Sequence, residues 1–223
     1  MFIILLLWII VPIAIYLSLI VLNNVVVTFI LFYVIICVLI PIVDLIFIQK
    51  KSLKEYLQYI GFSNLKKTFI PAAIIGIIFC ISIFAFFVLL KNYVLKTDQI
   101  QTILNSWNIN NKYLIPLLFT MIVANSVLEE VYWRGYIFKK LESVVSPPKV
   151  IVYSSLFYSS YHLITTINLF SIWYGIFFTA AIFGVGYFWG FMRRKFDSIY
   201  YSVISHLLAD LGIMLIYVRY FSN

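Results

Sequence analysis

Runs of about twenty apolar residues recur along nearly all of this 223-residue chain, and they limit what it can fold into more than any other feature. A helix rising about 1.5 Å per residue needs that many to cross roughly 30 Å of hydrocarbon. A membrane β-barrel would show short segments of alternating polarity instead, and the sequence has none. With 64% hydrophobic and 11% charged residues, the chain carries more apolar side chain than a water-soluble core can bury. The expected fold is all-α: a polytopic bundle of seven to eight transmembrane helices in a single domain, 1–223.

Seven spans are expected, near 2–22, 25–48, 68–90, 113–138, 149–165, 168–191 and 198–219. Residues 2–22 lack a basic leader and a small-residue cleavage site, so they read as a retained first helix. Asn23-Asn24 makes a turn, and Pro41 is expected to kink the second span near Asp44. Residues 49–67, with Lys50, Lys51, Lys54, Lys66 and Lys67, read as a short amphipathic helix on the membrane surface. Residues 91–112 are polar with no core of their own, and Pro147-Pro148 breaks the chain before span five. Cys37 and Cys80 lie in apolar runs and read as small hydrophobes.

The formal charge of +8 does not point to nucleic acid, because the cations sit in short loops between apolar runs, where lipid headgroups account for them. Lys50, Lys51, Lys54, Lys66, Lys67, Lys139, Lys140, Lys149, Arg193, Arg194 and Lys195 fall on one side; Lys91, Lys96, Lys112 and Arg219 fall on the other. The first side is expected to be cytoplasmic, with the N-terminus inside and the C-terminus outside.

Against this background the ionisable residues inside the spans stand out. Asp44, Glu129, Glu130, Arg134, His162, His206 and Asp210 each cost several kcal/mol to place in hydrocarbon unless paired or hydrated. Glu130 and Arg134 are i,i+4 neighbours and are expected to pair as a supporting ion pair. Glu129 points about 100° away, on the face of Asn125 and Trp133, and reads as the unpaired carboxylate. A carboxylate of that kind beside a histidine takes a proton from water. Tyr158 and His162 share a face of span five, as do Ser202, His206 and Asp210 in span seven. Counted from the cytoplasmic ends, Glu129, His162 and His206 lie about 15, 20 and 14 Å deep, close to one layer. Asp44, near the end of span two, reads as snorkelling to the surface.

Other intramembrane peptidase chemistries lack their residues. There is no His-Glu-x-x-His for a zincin-like site, no Gly-x-Ser-x-Gly for a serine nucleophile, and no Gly before Asp210. What remains resembles the CAAX protease and bacteriocin-processing family, also called Abi, of intramembrane endopeptidases. Its Glu-Glu-x-x-x-Arg motif matches Glu129, Glu130 and Arg134. Its aromatic-x-x-x-His motif matches Tyr158 and His162, with Tyr where Phe is usual, and its His-x-x-x-Asn/Asp motif matches His206 and Asp210. The glycines Gly184, Gly186 and Gly190 leading into Arg193-Arg194 also look like the family. The resemblance covers about 113–215 and leaves the N-terminal helices, 1–112, without support from it.

The resemblance implies that Glu129 and His162 activate water, while His206 and Asp210 stabilise the oxyanion of a peptide being hydrolysed on the cytoplasmic side. Asp210 departs from the more useful Asn: an ionised carboxylate only accepts hydrogen bonds. Asp210 is therefore protonated, or it orients His206, or Glu129, His162, His206 and Asp210 hold a divalent metal such as zinc. The implied partners are a peptide or protein substrate and the bilayer. The Ile-, Lys-, Asn- and Phe-rich composition points to an AT-rich bacterial genome, hence a plasma membrane and processing of pheromone, bacteriocin or leader peptides. Two rivals share the scaffold: a non-proteolytic regulatory or bacteriocin-immunity protein, and a proton-coupled transporter.

Overall fold

The computed structural model describes residues 1–91 and 95–222, Asn111 by its backbone alone. Of the polar stretch 91–112, residues 92–94 lie outside the described residues. Among the described residues no strand occurs and there are ten helices. They are α1 (Phe2–Val21), α2 (Val25–Ile48), α3 (Leu53–Ile60), α4 (Leu65–Leu90), α5 (Thr97–Ser106), α6 (Leu114–Glu142), α7 (Pro147–Ser160), α8 (His162–Leu169), α9 (Ile172–Phe196) and α10 (Tyr200–Tyr220).

Six of these, α1, α2, α4, α6, α9 and α10, are long and apolar enough to cross a membrane. Their outer surfaces carry large exposed apolar side chains such as Phe2, Ile70, Leu89 and Ile115, as lipid-facing helices do. The fifth expected span is not continuous. α7 and α8 meet at Tyr161, where no proline or glycine breaks the chain, and α9 packs along both. Thr166 of α8 donates to the Gly175 carbonyl at the start of α9, while Gly190 near the end of α9 lies against Ile151 of α7. The pair thus runs the length of α9 as a broken crossing.

One end of the bundle gathers the basic loops. There the α9 C-terminus, the turn before α10 and the α3–α4 turn interlock: Ser63 Oγ donates to the Asp197 carbonyl, Ile199 N–H to the Gly61 carbonyl, and Asn64 Nδ2 to the Phe196 carbonyl. At the opposite end α5 covers the α1–α2 turn, with Val25 N–H donating to the Trp107 carbonyl. Residues 91–112 are accordingly not coreless, since Leu95, Ile100 and Trp107 are all buried. With the α1–α2 turn at that end, Met1 lies at the same end as the basic loops.

The surface helix α3 follows its sequence closely. Ser52 and Glu55 form a capping box at its start, and Gly61 closes it at φ 100°, a backbone conformation an L side chain rarely adopts. Its Ile60 is fully buried against α6, where Gly135 lacks the Cβ that would meet the Ile60 side chain at 2.6 Å. α3 is therefore docked onto the bundle as well as lying on its surface.

α6 is the central helix: every residue from Glu129 to Phe138 is buried. Its turn widens to an i→i+5 pattern over Val131–Ile137, a local feature often found beside functional sites. α10 crosses α4 at close range, through Gly76 against Leu208 and Ser205 and through Gly212 against the Cys80 backbone. α10 also packs along α6, with the polar residues of the two helices at one level.

Candidate active site

Glu130 is the hub. Its Oε1 accepts from Arg134 Nη1 at 3.0 Å and lies 3.2 Å from His206 Nδ1, with Glu130 and Arg134 fully buried. The i,i+4 pair expected from the sequence is present despite the widened turn. Its second partner, on α10, was not foreseen, because only the packing of α10 on α6 creates it.

The other face of His206 is bounded by Asp210, whose Oδ2 is 3.5 Å from Nε2. Asp210 Oδ2 in turn accepts from Asn125 Nδ2 at 2.8 Å, and Asn125 Oδ1 accepts from the Tyr33 hydroxyl of α2 at 2.5 Å. Trp189 lies against the His206 ring, with centroids 4.5 Å apart. Both imidazole nitrogens thus face carboxylate oxygens, which a doubly protonated ring satisfies on both sides.

Arg134 is held through both terminal nitrogens, with its Nε unbonded among the described residues. Its Nη2 donates to the Gly186 carbonyl at 3.3 Å, and its guanidinium lies 4.1 Å from the Tyr158 ring centroid. Gly186 is required here, since a Cβ would come within 3.0 Å of Tyr158 Cδ1 and 3.2 Å of Arg134 Nη2. The Arg134 carbonyl accepts from Arg193 Nε at 3.0 Å. Arg193, counted above among the loop cations, is 1% exposed: it folds inward over Gly61 and pairs with Asp197 at 2.7 Å.

Glu129 is 3% exposed, and its Oε2 has no hydrogen-bond partner among the described residues. The Tyr161 hydroxyl, equally unpartnered, faces it from the α7–α8 break. Tyr161 also stacks on His162, with ring centroids 4.1 Å apart. His162 itself is half-buried, and its Nδ1 is bonded to the Tyr158 carbonyl four residues back at 3.1 Å. Glu129 and His162 therefore share an aromatic neighbour and make no direct hydrogen bond.

The possible metal is tested by the donors. Among the described residues no three of His, Cys, Asp and Glu converge to hold a cation. Of the expected ligands, His206 faces Glu130 and Asp210 through its two nitrogens, Asp210 Oδ2 accepts from Asn125, His162 Nδ1 is bonded to a backbone carbonyl, and Glu129 Oε2 is unbonded among the described residues. The donor set does not fit a metal as it stands.

Asp44 does not simply snorkel. Its Oδ2 pairs with Lys140 Nζ at 2.6 Å and accepts from the Tyr136 hydroxyl at 2.6 Å, joining α2 to α6 near the basic end. Two surface cavities occur away from the cluster. One, of about 250 Å³, is bounded by Phe138, Glu142, Pro147 and Arg194; the other, of about 300 Å³, by Phe86, Trp173 and Phe178 at the far end. Neither reaches Glu129 or His206.

A polytopic membrane protein with carboxylates, histidines and an arginine packed into one buried layer is thereby defined. A protein-family model described as Type II CAAX prenyl endopeptidase Rce1-like matches residues 111–212, which contain every member of the cluster except Tyr33. CAAX prenyl protease 2 of Methanococcus maripaludis is 33% identical over 109 residues, covering 44% of this chain. That match spans 40% of the relative's own length. No solved structure matches the chain. Over residues 111–212 the chain is similar to this CAAX endopeptidase family.

Proposed function

We propose that this protein is an intramembrane endopeptidase that uses Glu129 to activate water against a peptide bond presented from the basic, cytoplasmic end of the bundle. The observation that carries this reading is the contrast between the two adjacent glutamates: Oε2 of both is buried without a hydrogen-bond partner, but Glu130 is paired through Oε1 with Arg134 and His206, whereas Glu129 makes no ion pair among the described residues. A desolvated, unengaged carboxylate is suited to take a proton and is a costly thing to keep otherwise.

In the proposed reaction, Glu129 removes a proton from water as the oxygen adds to the scissile carbonyl carbon. The negative charge that develops on the carbonyl oxygen is met by His206, held in place by Glu130 and Asp210. Glu129 then passes its proton to the amine nitrogen as the C–N bond breaks. Asp210 acts as the orienter of His206, because it already accepts from Asn125. His162 and Tyr161 line the approach to Glu129 and position the attacking water. The described donor geometry supplies no step to a metal. The substrate class is a membrane-bound peptide or protein; the family name extends the candidates to prenylated C-terminal peptides beside leader and pheromone peptides.

The test uses full-length protein in nanodiscs with quenched-fluorescence peptides, prenylated and unprenylated. Glu129→Gln is expected to lower kcat by about 10³-fold with the protein still folded and membrane-embedded. Cleavage at the wild-type rate by Glu129→Gln would overturn the reading and favour the regulatory alternative.

A further inference from the structure

The established motifs of the site all lie in residues 111–212, yet the buried hydrogen-bond chain through His206 does not end there. It continues from Asp210 to Asn125 and from Asn125 to Tyr33, on a helix outside the matched segment. Tyr33, Asn125 and Asp210 are 7%, 6% and 5% exposed, so water does not compete for these bonds. The rings of Phe29 and Phe32 flank the Tyr33 ring, at centroid distances of 5.4 and 5.0 Å, and fix the direction of its hydroxyl.

The geometry points to Tyr33 as a positioning residue that sets the orientation of the Asn125 amide and, through it, the state in which Asp210 holds His206. An asparagine amide has a donating end and an accepting end. A hydroxyl whose proton points at Oδ1 engages the accepting end and leaves Nδ2 facing Asp210. The flipped amide would set Oδ1 against the Asp210 carboxylate, two acceptors face to face, and would turn the Tyr33 oxygen into an acceptor from Nδ2, taking from the buried Tyr33 proton the acceptor it has in Oδ1. With Tyr33 in place, Asp210 is supported as an acceptor and faces His206 Nε2, while Glu130 faces Nδ1. Without the hydroxyl, both amide orientations become open, and one of them favours a protonated Asp210 that no longer holds the Nε2 proton. The departure from Asn at position 210 is thus matched by an amide supplied from position 125, and that amide is set from α2.

The functional consequence rests on the peptidase reading above; the structural one does not, and the experiment separates them. Full-length protein labelled with ¹⁵N-histidine is compared in detergent at fixed neutral pH as wild type, Tyr33→Phe and Tyr132→Phe. Tyr132 is the control: its hydroxyl also bridges helices, donating to the Leu7 carbonyl at 2.8 Å, and it makes no bond to the polar chain. Tyr33→Phe is expected to move the His206 ring-nitrogen signals, identified by their loss in His206→Gln, and to leave those of His162 in place; Tyr132→Phe is expected to move neither. With a cleavable peptide, Tyr33→Phe is expected to lower kcat about tenfold with KM unchanged, and to add nothing in an Asn125→Ala background. His206 signals unchanged in Tyr33→Phe, or changed equally in Tyr132→Phe, overturn the proposal. A wild-type protein that cleaves no peptide removes the peptidase reading, and the nitrogen signals still decide for or against Tyr33.

Discussion

Two groups of charges occupy α6 and its neighbours, and they behave as opposites. Inside the bundle, Glu130, Arg134, His206 and Asp210 are between 0% and 5% exposed and connect to one another. At the basic rim, Asp44 with Lys140, Glu142 with Lys139, and Asp197 with Arg193 are also paired, but Glu142 and Asp197 are exposed and Asp44 and Lys140 are each half-buried. Rim pairs gain little, because water and ions screen them. The buried cluster has been stripped of water at a cost that its own pairing roughly offsets, so removing any one member leaves another charge stranded. The rim group fastens loops; on the proposed peptidase reading, the inner group supplies a dry electrostatic field at the reacting bond.

That contrast fails first at Glu130, if it fails. Glu130→Ala leaves Arg134 and His206 facing each other without their shared carboxylate, and a loss of about 3–5 kcal/mol in stability is expected. Thermal unfolding in detergent measures it; a midpoint equal to wild type would show that the inner cluster is no more demanding than the rim. The double change Glu130→Leu with Arg134→Met should recover most of the stability while leaving peptide cleavage absent. A smaller effect is expected from Gly186→Ala, whose new methyl group crowds Tyr158 and the Arg134 guanidinium. Overpacking of this kind costs about 1–3 kcal/mol, visible in the same unfolding experiment.

At the rim, Asp44→Asn should change stability by no more than about 1 kcal/mol, and the difference should shrink in 1 M salt (Debye length about 3 Å). The smallest effect concerns Asp197, whose carboxyl the Arg193 guanidinium holds below the usual carboxylate range. A carboxyl depressed in the folded state contributes stability above its unfolded pKa, about 4, and that contribution is lost as pH falls through the lower folded value. Unfolding midpoints of wild type and Asp197→Asn should therefore differ at neutral pH and converge in acid. Convergence on the alkaline side instead would reverse the sign and dismiss the pairing.

The sequence displayed the inner cluster more plainly than the rim. Ionisable residues in apolar runs are conspicuous, and helical spacing alone pairs Glu130 with Arg134 and separates Glu129 from both. The depth count put Glu129, His162 and His206 close to one layer, but it did not show that Glu129 and His162 make no direct hydrogen bond. What could not be read were the relations between helices: His206 on Glu130, Tyr33 on Asn125, Arg193 turned inward over Gly61. Each depends on which faces meet, and a single sequence carries no record of that. The break at Tyr161 was hidden for another reason, since Ser159, Ser160 and Tyr161 include no proline or glycine to mark it.

That break also governs how the chain reaches the bilayer. Neither α7, with fourteen residues, nor α8, with eight, has the length and apolar content to partition into lipid alone. Their hydroxyls reduce the cost by bonding back to their own helices: Ser154 and Ser155 to the Ile151 carbonyl, Ser159 to Leu156, Thr165 to His162. The remainder must come from α9, twenty-five residues long and packed against both pieces. Insertion of residues 147–196 is then a concerted event for a helical hairpin, so the segment that brings Tyr161 and His162 to the site enters the membrane only after Phe196 has been made.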